Sequence, residues 1–77
     1  MVDKTNDWLD IASRSLTPRE TEVVRLVSQG LANKVVATKL GVCEGTVKIH
    51  LHSIYRKLHV KNRSELILSM IAYRQKK

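Results

Sequence analysis

Cysteine occurs once in this chain, at Cys43, so no disulfide can close within it. A lone thiol fits a reducing compartment, and a cytoplasmic location is expected. No apolar run approaches the roughly 20 residues that a membrane-spanning helix needs. The opening Met1-Val2-Asp3-Lys4-Thr5-Asn6-Asp7 lacks the basic-then-apolar pattern of a signal peptide. No glycine-rich phosphate loop is present. Length is short as well: 77 residues make one domain. A chain of that size buries only about 60% of its unfolded surface, too little for a core plus an enclosed catalytic cleft. These absences argue against an enzyme and for binding on a surface.

Acidic residues are scarce in one half only. Residues 1–33 carry four basic and five acidic groups, a net of −1, whereas residues 34–77 carry ten basic groups against Glu44 and Glu65, a net of +8. A basic C-terminal half on a near-neutral N-terminal part points to a polyanionic partner. The histidines do not point to a metal. His50 and His52 diverge by about 200° on a helix, and His59 has no ligand-type residue four positions away. No metal or cofactor is expected, and Cys43 has no neighbouring base to make it a nucleophile.

The periodicity predicts four helices and no strand, an all-α fold without wing or sheet, over about residues 16–75, preceded by a linker or tail at 1–15 in which Trp8, Leu9 and Ile11 are isolated apolar points. The helices are expected at about 18–29, 34–40, 44–58 and 63–74. Thr17-Pro18-Arg19-Glu20 is a capping box with proline at the first helical position. Val23, Val24, Leu26 and Val27 follow as its apolar stripe, and Gly30 is read as its left-handed cap. Asn33 is read as the N-cap of the second helix, whose inner face holds Val36, Ala37 and Leu40. Gly41 then breaks the pattern, and helical periodicity resumes at Glu44. Two helices joined by a turn of about three residues beginning with glycine make a helix-turn-helix.

On the third helix, at about 100° per residue, Val47, Leu51, Ile54, Tyr55 and Leu58 fall within an arc of about 100° and form a core face. Lys48, His52, Gly45, Arg56, Ile49 and Ser53 occupy the opposite side. Ile49 is thus an apolar residue in the middle of a polar, basic face. Lys48 can donate to guanine, Ile49 can meet a thymine methyl, and His52 can donate or accept. All three lie in the half of the helix that touches base edges in helix-turn-helix proteins. Thr46, Asn33, Lys34, Arg56 and Lys61 flank the two helices as phosphate-contact candidates. The fourth helix follows Asn62, with Glu65 three residues on. Leu66, Met70 and Tyr73 share one face, while Ile67, Leu68 and Ile71 point elsewhere and need a partner. Arg74, Lys76 and Lys77 suit the end of that helix.

Leu16-Thr17-Pro18-Arg19-Glu20, Asn33-Lys34, Val36-Ala37, Leu40-Gly41-Val42, Glu44 to Leu51 and Ile54 to Leu58 together resemble the LuxR/NarL/GerE family of bacterial transcription regulators, over about residues 15–73. The resemblance implies a four-helix domain that binds double-stranded DNA as a homodimer on an inverted repeat. It places base contacts at Lys48, Ile49 and His52 and the dimer contact at Ser64, Ile67 and Leu68, beside Ile71 of the second apolar face. Many members carry an N-terminal receiver or autoinducer-binding domain, and others stand alone; residues 1–15 fit either arrangement. The chain departs from the family at Cys43, where an N-cap such as serine is usual, and at His52, where lysine, arginine or a small polar residue is common. The expected function is sequence-specific DNA binding in transcription regulation, within a bacterial cytoplasm. The rival reading is a helix-turn-helix that contacts protein, such as RNA polymerase. A membrane-surface role is disfavoured, because the core stripe of the third helix can be covered by the other helices.

Overall fold

The computed structural model describes residues 14–75, with side chains through Ile71. The reading of residues 1–13 as a linker or tail, and the roles given to Tyr73, Arg74, Lys76 and Lys77, lie outside the described backbone or side chains. Four helices follow in order: α1 (Pro18–Val27), α2 (Asn33–Leu40), α3 (Glu44–Leu58) and α4 (Arg63–Gln75). The described residues contain no strand, as the sequence predicts.

The start of α1 forms as its residues dictate. Thr17 Oγ1 accepts from the Glu20 N–H at 3.1 Å, and Glu20 Oε1 accepts from the Thr17 N–H at 2.9 Å. Helical geometry ends at Val27, two residues short of the expectation. The chain continues as a tight turn, with the Gln29 and Gly30 amides donating to Leu26 and Val27 carbonyls three residues back. Gly30 does take a positive φ of 84°, but it closes that turn and not the helix itself.

The next two helix ends share one device. At the end of α2, Gly41 sits at φ 70°; the Val42 amide donates to the Ala37 carbonyl and the Gly41 amide to the Thr38 carbonyl. At the end of α3, the Val60 amide donates to Tyr55 and the His59 amide to Arg56. Both are Schellman closures, in which a left-handed residue turns the chain and satisfies the last carbonyls. Val42 and Val60, the residues just beyond, pack against the core. His59 adopts φ 59° with a side chain larger than glycine, which costs about 1–2 kcal/mol.

The core is small and mostly valine. Val23, Val24, Val27, Val36, Val47, Ile54 and Leu66 are fully buried, with Leu16, Ala37 and Leu51 beside them. Val47, Leu51 and Ile54 are the predicted inner face of α3, and Tyr55 and Leu58 line its edge. Leu66 and Met70 turn α4 inward, as expected.

One polar group joins this core. Glu20 is only 4% exposed, and its Oε1 accepts from Lys57 Nζ at 2.8 Å, linking α1 to the end of α3. Burial raises the Glu20 pKa, but Lys57, the Thr17 amide and the Ser53 hydroxyl outweigh it and hold the carboxyl at about 2, against an ordinary 4.5. The folded value lies below the unfolded one, so the stabilisation is complete above about pH 4.5 and disappears as pH falls toward about 2. Up to ~3 kcal/mol is lost across that window. Melting temperature should therefore drop steeply there, and Glu20→Gln should flatten the drop; an unchanged profile would assign the titration to another group. At the end of α3, His59→Gly should stabilise the fold by about 1 kcal/mol and so raise the urea midpoint, and His59→Val should lower it. Equal midpoints for the two variants would show that the left-handed turn carries no strain.

Candidate nucleic-acid interface

The helix-turn-helix comprises α2, the turn Gly41–Cys43 and α3. Gly41 supplies the positive φ and Val42 anchors the corner in the core, so the two helices are fixed relative to each other by packing. That leaves one side of α3 facing outward. Lys48, Ile49, His52 and Arg56 are all exposed there, and with Ser53 they line one shallow surface depression. Ile49 is 70% exposed. The face derived from helical angle is the face observed. Arg56 carries the basic strip toward the C-terminal end of α3.

The start of α3 lacks a side-chain cap, as Cys43 implied: Cys43 takes extended backbone angles but its thiol makes no capping hydrogen bond. Its carbonyl accepts from the Thr46 and Val47 amides. Glu44 in the first turn complements the positive end of the helix dipole. Thr46 is half-buried in that same turn.

The α2 start departs from expectation. Ala32, not Asn33, is the N-cap, and Asn33 is the first helical residue. Asn33 does not cap because its side chain is engaged elsewhere: Oδ1 accepts from Arg63 Nη1 at 2.6 Å, and Arg63 Nη2 donates to the Leu31 carbonyl. A charged donor on α4 wins over a local backbone amide, since hydrogen bonds to ionised groups are about twice as strong. Lys34 is exposed beside Asn33. Lys61 is exposed between α3 and α4, where its amide donates to Glu65 Oε1 at 2.7 Å. Glu65 thus reaches one residue past Asn62, whose Oδ1 accepts from the Glu65 amide at 2.9 Å.

The phosphate-contact candidates therefore fall into two groups, Thr46 and Arg56 on α3, and Asn33 and Lys34 at the head of α2, with Lys61 apart from both in the link between α3 and α4. The outer face of α4 divides. Ser64, Leu68 and Ile71 are exposed, with Leu68 at 62%, whereas Ile67 is half-buried and packs against the core. Arg63 was not among the sequence candidates. It pairs with a residue 30 positions away, and no local pattern signals such a pair. Among the described residues no helix is long and apolar enough to cross a membrane, and no cluster of His, Cys, Asp and Glu could hold a metal.

A family model described as bacterial regulatory proteins, luxR family, matches residues 14–70. The nitrate/nitrite response regulator NarL of Escherichia coli K12 is 44% identical over 50 residues, 65% of this chain and 23% of that protein. The transcriptional regulatory protein LnrK of Bacillus subtilis is 40% identical over 72 residues, 94% of this chain and 30% of that protein. A solved structure of the response regulator StyR superposes with a TM-score of 0.70 at 41% identity, over 88% of this chain and 34% of that one. The chain thus spans about a quarter to a third of the length of these proteins. With the helix-turn-helix geometry, these likenesses establish that the chain belongs to the luxR family of bacterial regulatory proteins and carries its DNA-binding domain of transcription regulation.

Proposed function

We propose that this domain reads double-stranded DNA with α3 in the major groove, as a homodimer on an inverted repeat, and that it is the output module of a transcription regulator. Lys48, Ile49 and His52 meet base edges; Thr46, Asn33, Lys34, Arg56 and Lys61 meet phosphates. The observation that carries this reading is Ile49, 70% exposed and surrounded by Lys48, His52 and Arg56. A solvated charged face gains nothing from an isoleucine at its centre. A base edge with a thymine methyl does.

Ser64, Leu68 and Ile71 form the dimer contact, with Ile67 at its inner border. A two-fold pair would place two α3 helices about one DNA turn apart. One short apolar stripe is a small interface, so the isolated domain is expected to pair weakly and to gain from cooperation on DNA. Several relatives carry "response regulator" in their names, which supports an output role downstream of a receiver; a stand-alone regulator uses the same surface.

Site selection from a random duplex pool gives the operator. On it, Lys48→Ala should cost about 1–3 kcal/mol and relax preference at one base pair. Binding and preference both unchanged would sink the assignment of α3 as the reading helix. For the dimer, Leu68→Glu is the cleaner probe, because Ile67 also packs on the core. Sedimentation should show the variant monomeric at concentrations where the parent pairs, with melting temperature nearly unchanged, since surface substitutions stay within about 0.5 kcal/mol. A parent and variant that sediment alike would remove this stripe from the interface.

A further inference from the structure

Arg63 opens α4, yet its guanidinium is directed at the head of α2. One nitrogen donates to Asn33 Oδ1 and the other to the Leu31 carbonyl. These acceptors flank Ala32, the N-cap of α2, so one rigid fork fixes both the backbone entering the helix and the side chain of its first residue. A guanidinium only donates. The Asn33 oxygen must therefore face Arg63, and the Asn33 NH2 is the group left for any other ligand. That NH2 is one residue from Lys34 and lies in the first turn of α2, where backbone N–H groups and the helix dipole favour an anion.

We infer that Arg63 is a positioning residue for DNA: by bridging Leu31 and Asn33 it holds the Asn33 amide as a phosphate donor. In the same act it ties α4, which carries Ser64, Leu68 and Ile71, to the reading motif. This inference rests on the DNA-binding reading above. Its mark is that charge alone is insufficient. Lysine keeps the charge but cannot span two acceptors with a planar fork.

Fluorescence anisotropy with a random-sequence DNA duplex, at one ionic strength, tests it on the parent, Arg63→Lys, Asn33→Ala and the double variant. Circular dichroism at the assay temperature confirms equal folding. Asn33→Ala breaks the link from the other side without removing a charge and places a better helix former in α2. Each single variant should bind about three- to tenfold more weakly, the effect of one hydrogen bond. The double variant should bind no more weakly than the poorer single, because both remove one linkage. Parental affinity in Arg63→Lys, or losses that multiply in the double variant, would overturn the positioning role while leaving DNA binding intact. A parent that fails to bind the duplex would overturn the DNA-binding reading and this inference with it.

Discussion

The carboxylate of Glu20 is the point on which the arrangement depends. It closes the cap of α1 by accepting the Thr17 amide, and it accepts the Lys57 ammonium from the far end of α3. A buried charge is tolerated only when paired and hydrogen-bonded, and here both conditions are met. The consequence is geometric. α3 has its core face held by Val47, Leu51 and Ile54, and its last turn held by Lys57. Its orientation against α1 is therefore fixed by packing along its length and by one polar pin at the end. The face with Lys48, Ile49 and His52 has one direction in which to point.

Turn chemistry does the rest. Gly41 and His59 each reverse the chain in a left-handed conformation, and Val42 and Val60 pack against the core immediately afterwards. α2 and α3 thus each end in a carbonyl-satisfying turn followed by an apolar anchor. Local hydrogen bonds set the angle at each corner, and the packing of one half-buried valine keeps it there. The same logic explains why so modest a core suffices: small β-branched residues let the helices approach closely, and the corners leave little freedom for alternatives.

Much of this was legible in the residues because the decisive interactions are local. The capping box spans four positions, the Gly41 turn three, and the two faces of α3 follow from angle alone. What escaped was long-range or disguised. Lys57 and Glu20 are 37 positions apart, and Arg63 and Asn33 are 30 apart; no window of sequence contains both partners. Asn33 read as a cap because asparagine commonly caps, and only the nearness of Arg63 diverts it. His59 gave no sign of a left-handed turn, since glycine is the usual marker. Ile67 looked free by angle, yet α4 lies close enough to the core to half-cover it.

The pairing of Lys57 also changes how the charge of the second half should be counted. Duplex DNA carries a sheath of condensed cations, and a bound protein displaces them roughly in proportion to the phosphates its own cations neutralise. Lys57 neutralises Glu20 inside the fold, so it has no charge to exchange for a displaced ion. The net of +8 written in residues 34–77 therefore overstates the polyelectrolyte footprint of the domain. The release of counterions falls to the cations left facing outward, Lys34, Lys48, Arg56 and Lys61 among them, and the ionic atmosphere of the DNA is felt through those positions.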